Sequence, residues 1–566
     1  MAKSIFGLFK TDTGDEPLAN VKAVARWAAA LPANDPVAGV AAMVHLLEEM
    51  GAAQPALTVD RTLALLDLDR LSVPLQGQLQ AQYRLPVLSE DVRQSLWHAR
   101  NDLMRWLAFA YEQIYEGSIN LPADRKLREL LHGVLSRMFH YRARQAQLGL
   151  FRYEQWIPAR WKFLHAAYKV ASEQGVSSLP FALVQNPQPG DRFSAEQEYL
   201  WLLLLQRINS GNLSAPQIEL ASHWLRDLVP ALQLTTARPQ GDSYWLLSLA
   251  RTEGLHASPA SPAAAPEGEL LYLDAAPMHA HLQALTESLA GQLGPDSEVS
   301  GRGEIRARLA LIKRLEIVLL PNAKQQPRRG ERRAEQKPVL MASGWAEIPV
   351  LMRQSHPWKT HEPHKYTYDS AAGPAGLGGT EAPRKVATGA HDSLFPEQRG
   401  WQVLDISDSG CRIESRTRQA AQLQVGGLLV LLMKGESRRR VGIVRRLKRR
   451  TAEHTELGVE IITGNALLIK PEPVAADSEV QFGRTGIGPK ASAFVALYVP
   501  PQERPQVAPV RSLLVPAADF QPSRILSVDV DGQTNQIRLV LIIEQTKDWV
   551  WTTFEAIGGW RERPRV

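Results

Sequence analysis

At 566 residues the chain is too long for one compact core, so its length predicts roughly three or four domains. Hydrophobic residues at 44%, charged residues at 22% and a formal net charge of +6 fit an ordinary soluble protein. The longest apolar stretch, Tyr199 to Leu205, is far below the roughly 18 residues that cross a bilayer, so no membrane span is expected. The start of the chain lacks the pattern of a secretory signal, which predicts a cytoplasmic location. The single cysteine, Cys411, excludes an internal disulfide or a thiolate metal cluster within one chain.

Region 1–323 is predicted to be mainly helical. Apolar residues at helical spacing predict an amphipathic helix from Ser89 to Gly117, with Ser89 capping its start and Gly117 its end. Ser194 and Ser214 are each followed three positions later by a glutamine, which is the spacing of a capping box. One helix is therefore predicted to begin at Ser194 and another at Ser214.

The end of this region is predicted to be more varied. Tyr244 to Ala250 resembles a strand, and the Ala- and Pro-rich segment 257–268 is a predicted linker. A last helix is predicted from Glu304 to Leu320, ending at Pro321.

Residues 324–470 are predicted to form a small antiparallel β-barrel. A strand-like segment begins at Val339 to Met341, and segment 355–398, crowded with Pro, Gly and His, is predicted to be a long disordered insertion. Five short strands with turns between them predict the barrel. These strands are Gly400–Ile406, Cys411–Ser415, Leu428–Met433, Arg439–Lys448 and Glu456–Ile462.

Residues 475–566 are predicted to form a further β-rich domain, and the Asp531-Gly532 step is a strong turn signal within it. Its predicted strands are Phe494–Val499, Ser512–Val515, Arg524–Val530, Gln536–Glu544 and Trp549–Phe554. The predicted fold class is therefore multidomain α+β: a mainly helical N-terminal region, an antiparallel barrel and a C-terminal β-rich unit.

The barrel region carries three sequence motifs in order. Asp405 to Ile413 reads Asp-Ile-Ser-Asp-Ser-Gly-Cys-Arg-Ile, which fits a D/N-x-S-x-x-G pattern. Gly442 to Arg445 and Glu456 to Glu460 then form a Gly-x-Val strand and a Leu-Gly-Val strand. These three motifs resemble those of the PilZ family, and the resemblance covers about residues 329–467. It implies a β-barrel that binds cyclic di-GMP as a signalling effector, with Asp405, Ser407 and Gly410 at the ligand.

The same resemblance implies an R-x-x-x-R motif just before the first barrel strand. Arg329 with Arg333, and Arg328 with Arg332, both fit that spacing. A strand that starts at Pro338-Val339 instead favours Arg333 with Lys337. A lysine would weaken or abolish binding, because an ammonium is a point charge whereas a planar guanidinium addresses guanine or phosphate through two parallel hydrogen bonds.

The motif residues suit the ligand that the resemblance implies. Cyclic di-GMP carries two phosphodiester charges and two guanines, so tethered arginines can hold the phosphates. Asp405 and Ser407 lie two residues apart on an extended strand and are predicted to face the same side, where they can contact guanine. Gly410 is predicted to permit a tight turn.

Other functions are less favoured by the sequence. The segment from Arg438 to Arg450 contains eight basic residues and no acidic residue, which suggests an anionic partner. Nucleic acid is one alternative for that partner. The eight basic residues are Arg438, Arg439, Arg440, Arg445, Arg446, Lys448, Arg449 and Arg450. His356, His361 and His364 lack the spacing of a zinc site and are interpreted as solvated loop residues, so no metal is expected. No catalytic motif is found, so the chain is not expected to be an enzyme.

The main alternative is a protein-interaction scaffold whose barrel has lost its ligand. In this interpretation the helical N-terminal region binds a protein partner through an aromatic-rich surface, although such residues more commonly pack inside helical domains. The residues of that run are Phe151, Tyr153, Trp156, Trp161, Phe163 and Tyr168.

Overall fold

A computed structural model describes residues 16–560 of the protein with several gaps. The gaps are 33, 55, 86–87, 120–124, 155, 184–191, 209, 242, 258–268, 294–298, 322–332, 355–399, 408, 417–422, 452, 475–492, 502–509 and 531. The chain divides into two compact units, called here the helical unit (Met1–Arg328) and the β unit (Arg329–Val566). The three-domain division made from the sequence stays a prediction.

Within its described residues the helical unit contains ten α-helices. They are α1 Val21–Ala29, α2 Pro36–Ala53, α3 Val59–Tyr83, α4 Glu90–Ile119, α5 Arg125–Phe151, α6 Ala159–Glu173, α7 Ala195–Arg207, α8 Ala215–Leu228, α9 Ala276–Gly291 and α10 Val299–Leu319. A small antiparallel sheet of order β1-β4-β2-β3 accompanies them. Its strands are β1 Leu234–Thr235, β2 Tyr244–Ser248, β3 His256–Ala257 and β4 Leu270–Asp274.

Side-chain caps define where several helices begin. Asn20 Oδ1 accepts a hydrogen bond from Ala23 N at 3.0 Å, and Ser194 and Gln197 form the reciprocal bonds of a capping box at the start of α7. These bonds satisfy backbone N–H groups that have no partner within the helix. The capping box predicted at Ser194 is thereby confirmed.

Helix α7 lies in the core of the helical unit. All seven residues from Tyr199 to Leu205 are at most 3% exposed, so the longest apolar stretch of the sequence is a buried core helix. The predicted helix at Ser89 extends to Ile119, beyond the predicted cap at Gly117. Gly117 instead packs inside the helix, where an added Cβ would lie 3.0 Å from Leu57 Cδ2.

The β unit begins with a closed, antiparallel barrel of order β10-β7-β6-β5-β8-β9. Its strands are β5 Arg333–Ser343, β6 Trp401–Ser407, β7 Gly410–Ser415, β8 Leu428–Met433, β9 Arg440–Arg449 and β10 Thr455–Thr463. Helix α11, Gly344–Arg353, follows β5. The five predicted strands are present, and β5 completes the barrel. It starts at Arg333, six residues before the predicted strand start at Val339, because Arg333 and Ala334 already pair with β6.

A seven-stranded antiparallel sheet follows, in the order β11-β13-β14-β17-β16-β15-β12. Its strands are β11 Leu467–Ile469, β12 Glu472–Pro473, β13 Ala496–Val499, β14 Ser512–Pro516, β15 Ile525–Val530, β16 Gln533–Gln545 and β17 Trp549–Ile557. The turn predicted between β15 and β16 is present, and Gly532 has the left-handed φ of +75° that such a turn requires. Within this sheet, the two short strands β11 and β12 were not predicted from the sequence, and they follow the barrel's last strand in the chain.

The barrel and this last sheet share one hydrophobic core. Buried residues of β5, β8 and β9 pack with buried residues of β13, β14 and β17. Trp549, at 1% exposed, lies in this shared core and its Nε1 donates to the Gly426 carbonyl at 2.9 Å. The two sheets therefore pack directly against each other without a layer of solvent between them, because their apolar faces cover each other.

Candidate functional site

The D/N-x-S-x-x-G motif falls on the β6–β7 hairpin. The two strands pair Asp405 with Arg412 and Ser407 with Gly410. Residues that pair directly across an antiparallel sheet present their side chains to the same face. Arg412 is exposed whereas its neighbour Cys411 is buried, so Asp405, Ser407 and Arg412 face outwards from the barrel. The structure thus brings Asp405 and Ser407 to one face.

Hydrogen bonds organise the tip of this hairpin. Ser407 Oγ donates to the Gly410 carbonyl at 3.2 Å, and Ile461 N of β10 donates to the Ser409 carbonyl at 3.0 Å. Asp405 accepts an ion-paired hydrogen bond from Arg412 Nε at 2.8 Å. A ligand group that binds the Asp405 carboxylate would meet an arginine already in place beside it.

Gly410 is required for a different reason than the tight turn that its sequence context suggests. Its φ lies outside the left-handed region, and β7 begins at this residue. A Cβ added at Gly410 would lie 2.5 Å from the Val459 carbonyl oxygen of β10, closer than any side chain tolerates. Gly410 therefore lets β7 and β10 approach, and it leaves the outer face beside Ser407 flat.

The start of β5 lies against the motif. Ala334 pairs with Asp405, Arg333 with Ile406, and Lys337 with Val403. Arg333 and Lys337 are both exposed. Arg328, Arg329 and Arg332 lie outside the described residues. The described start of β5 thus lies next to the motif hairpin.

Lys337 is already engaged within its own strand. Its Nζ forms an ion pair with Glu335, and hydrogen bonding to that carboxylate raises the pKa of Lys337. It pairs with Val403, two residues before Asp405 and on the side away from the hairpin turn. Of the two described basic candidates, Arg333 lies nearer in register to Ser407.

Two further arginines, neither of them predicted from the sequence as a site residue, belong to this face. The register joins Asp405 to Arg412, Arg412 to Gly458, and Gly458 to Arg446, in one row across β6, β7, β10 and β9. Gly458 has no side chain, and an added Cβ there would lie 3.0 Å from Arg446 Cβ. Two exposed guanidinium groups therefore flank a bare stretch of backbone. Hairpin geometry was the available signal, since a residue two positions after Gly410 returns beside Asp405.

Much of the basic run from Arg438 to Arg450 is used by the β unit itself. Arg439 Nε donates to the Leu351 carbonyl at 3.0 Å, Arg440 pairs with Glu436 at 2.9 Å, and Arg450 pairs with Glu456 at 2.6 Å. Arg445 bonds to two carboxylates, Glu460 and Glu544, which raise its pKa. Most of this run therefore does not contribute to a continuous cationic surface for nucleic acid.

The aromatic run considered as a partner surface is largely packed. Tyr153, Trp161 and Tyr168 are at most 4% exposed, and Trp161 stacks on His165 with ring centroids 5.3 Å apart. Phe151, Trp156 and Phe163 are half-buried. Most of these rings therefore stabilise the helical unit.

Metal binding and membrane insertion are two further possibilities. His356, His361 and His364 lie outside the described residues, and within the described ranges no group of three or more His, Cys, Asp or Glu side chains could hold a metal ion. None of the helices in the described part of the chain combines the length and apolarity that a bilayer crossing needs.

The arrangement on the β6–β7 face suits an anionic ligand that also donates hydrogen bonds. Asp405 and Ser407 can accept hydrogen bonds from a base, and Arg412 and Arg446 supply positive charge on the same face. Arg333 is exposed at the start of the neighbouring strand, where it pairs with Ile406 and not with a residue of this face. Guanine offers N–H donors on one edge and acceptors on another, and a phosphodiester carries one negative charge. The described residues therefore fit a guanine nucleotide.

Comparison with known families agrees with this chemistry. A family model described as the N-terminal domain of the cyclic-di-GMP receptor FimW matches residues 22–240, and one described as the middle PilZ domain of that receptor matches residues 314–467. Together the two models cover well over half of the chain, and the second confirms the PilZ resemblance of the barrel. No curated protein matches the chain. The chain therefore belongs to the FimW family of cyclic-di-GMP receptors.

Proposed function

We propose that cyclic di-GMP binds on the outer face of the β6–β7 hairpin. Asp405 and Ser407 bind guanine there, and Gly410 keeps the surface beside them flat. Arginines ahead of β5 fold over this face and hold the phosphates. The pairing of Ala334 with Asp405 carries the proposal, because it brings the chain that follows Arg329 and Arg332 to the edge of the motif.

We propose Arg329 with Arg333 as the functional arginine pair. The observed strand start at Arg333 supports this register, because it removes the reason to begin the strand at Pro338. Lys337 lies within β5 and pairs with Glu335, which leaves its ammonium group less available to a ligand. Arg332 with Arg328 is the second register, and Arg333 with Lys337 is the third.

Binding has to compete with the ion pair between Arg412 and Asp405. A guanine N–H that reaches the carboxylate releases or shares Arg412, whose guanidinium is then available to a phosphate. The ion pair between Arg412 and Asp405 is thereby exchanged for two charge-assisted contacts to the ligand. Arg446, across Gly458, adds a second cation on the same row.

The protein then acts as a signalling effector by binding and not by catalysis. Ligand binding holds the arginines ahead of β5 against this face. These arginines lie where the β unit joins the helical unit, so binding biases the conformations available to both. We propose that the helical unit presents a surface to a protein partner in response, and that the receptor acts in the cytoplasm.

Calorimetric titration of the full chain with cyclic di-GMP tests the site. We expect saturable binding by the wild type and about tenfold or greater weakening in Arg333→Ala and Asp405→Ala, because each loses a charge-assisted contact. Arg416→Ala is the matched control, since Arg416 follows the opposite end of β7 and its side chain is 79% exposed.

The same titration distinguishes the registers and the competing functions. Loss of affinity in Arg329→Ala with little change in Arg332→Ala and Lys337→Ala supports the first register. A wild type that releases no heat with cyclic di-GMP sinks the receptor proposal in favour of a scaffold. Binding that falls steeply with salt and does not distinguish cyclic di-GMP from other polyanions would instead indicate a nucleic-acid surface.

A further inference from the structure

Arg100, on α4 of the helical unit, is a buried cation with little compensation. Its side chain lies among α3, α4 and α5, and the residue is 8% exposed. Its Nε has no hydrogen-bond partner among the described residues, and its guanidinium carbon lies 5.9 Å from the centre of the Tyr83 ring. An aromatic face compensates a buried guanidinium only in part, because it offers no full negative charge.

A second arginine with the same deficiency lies at the same level of the neighbouring helix α5. Trp97, three residues before Arg100, donates from Nε1 to the carbonyl of Leu148, four residues after Arg144, at 3.2 Å. Arg144, on α5, also has a buried Nε without a partner within the described part of the chain, and its guanidinium carbon lies 5.8 Å from the Trp201 ring centre. Its Nη1 donates to a neutral amide oxygen, Gln147 Oε1, at 3.0 Å. Burial, and next the charge of Arg144, lower the pKa of Arg100 to about 10, so it stays charged at neutral pH.

The carboxylates around the two arginines are already engaged. Glu219 forms an ion pair with Arg84, and Glu198 accepts hydrogen bonds from Arg226 at 2.5 and 2.6 Å. Within the described part of the chain, neither Glu219 nor Glu198 accepts a hydrogen bond from Arg100 or Arg144.

Other buried arginines of the same unit are paired closely. Arg137 donates to both oxygens of the buried Asp69, at 2.8 and 3.1 Å. Arg142 donates to both oxygens of Glu112, at 2.6 Å each. Arg137 and Arg142 are thus each compensated by a carboxylate in two-pronged geometry, which Arg100 lacks.

We propose that a phosphate-type oxyanion binds to the helical unit between Arg100 and Arg144. A doubly charged group balances both guanidinium charges, and its oxygens can accept the hydrogen bonds that the two Nε atoms now lack. The ligand class is free phosphate or a small phosphate monoester. This site is separate from the β6–β7 face and does not depend on cyclic di-GMP binding there.

Phosphorus NMR and thermal unfolding of the full chain test the site. We expect the wild type to broaden the resonance of inorganic phosphate saturably, and phosphate to raise its unfolding midpoint when it replaces chloride at constant ionic strength. In Arg100→Met we expect the dissociation constant to rise about tenfold or more and the thermal shift to disappear. Arg128→Met, which changes an exposed arginine of α5, should behave as the wild type.

Folding of the variant does not obscure the result. Without phosphate, Arg100→Met should be at least as stable as the wild type, because an uncompensated buried charge has been replaced by an apolar side chain. A parallel titration with guanosine monophosphate tells a monoester from the free ion. Absence of saturable phosphate binding by the wild type, or equal binding by Arg100→Met, overturns the proposal. Cyclic di-GMP affinity should be unchanged in Arg100→Met, so the two sites fail independently.

Discussion

At Gly410, strands β7 and β10 approach so closely that any side chain would collide with the Val459 carbonyl. The sequence pattern attributes this glycine to a turn, whereas in the barrel it meets a packing requirement between two strands that are distant in the chain. Substitution at Gly410 is therefore expected to act on the barrel itself as well as on the ligand surface.

We predict that Gly410→Ala destabilises the β unit by about 1–3 kcal/mol, because the added methyl forces β7 away from β10. Chemical unfolding followed by tryptophan fluorescence measures the change. Gly464→Ala is the control, since an added Cβ at Gly464 meets nothing within 4 Å. Equal stability of the two variants would contradict the packing role of Gly410.

Among the elements, β17 links the barrel to the last sheet. Trp549 lies in the hydrophobic core that the two share, and Arg445 of β9 bonds to Glu544 of β16 through two hydrogen bonds of 2.6 Å. The same arginine bonds to Glu460, the β10 residue that pairs with Gly410. The ligand face and the last sheet are thus connected through one side chain.

We predict that Trp549→Ala costs about 3–5 kcal/mol and destabilises the barrel and the last sheet together, because it opens a cavity in their common core. The midpoint of unfolding, followed by circular dichroism, should then coincide with the midpoint at which cyclic di-GMP binding is lost. Trp551→Ala, at a half-buried position, should cost less. If the last sheet unfolds in Trp549→Ala while the barrel still binds its ligand, the two are independent domains, as the sequence suggested.

For the whole molecule, acidification is expected to act first on the helical unit. Burial lowers the pKa of His140 from its usual 6.5 to about 4, although its partner Glu198, at 3.0 Å, opposes that change. Burial also lowers the pKa of His165, His256 and His281. A histidine held neutral in the folded state takes up its proton more readily when unfolded, so stability falls as the pH drops below the unfolded value.

We predict that His140 alone costs the helical unit about 2 kcal/mol of stability between about pH 7 and pH 5. Urea unfolding at several pH values, followed by circular dichroism, measures the slope. His140→Gln keeps a neutral hydrogen-bonding group beside Glu198 and should flatten the profile by that amount. An unchanged slope in this variant would show that the acid sensitivity arises elsewhere.

Local signals predicted much of this architecture. The caps at Ser194 and Ser89, the five barrel strands and the Gly532 turn depend on residues close together in the chain, and all are present. The strands missed or shortened are β1, β3, β4, β11, β12 and the first half of β5, and most of them are short or polar. Their pairing partners decide that they are strands, and those partners lie far away in the sequence.

The sequence by itself determined the helical and β-rich halves, the barrel and the identity of the motif residues, because apolar periodicity, capping and turn chemistry are local. Only the tertiary structure decided that Arg412 and Arg446 share the face of Asp405, that Gly410 serves a strand contact, and that Arg100 is buried beside Arg144. Each of these follows from strand register or helix packing, which joins residues tens of positions apart through contacts that no local pattern encodes.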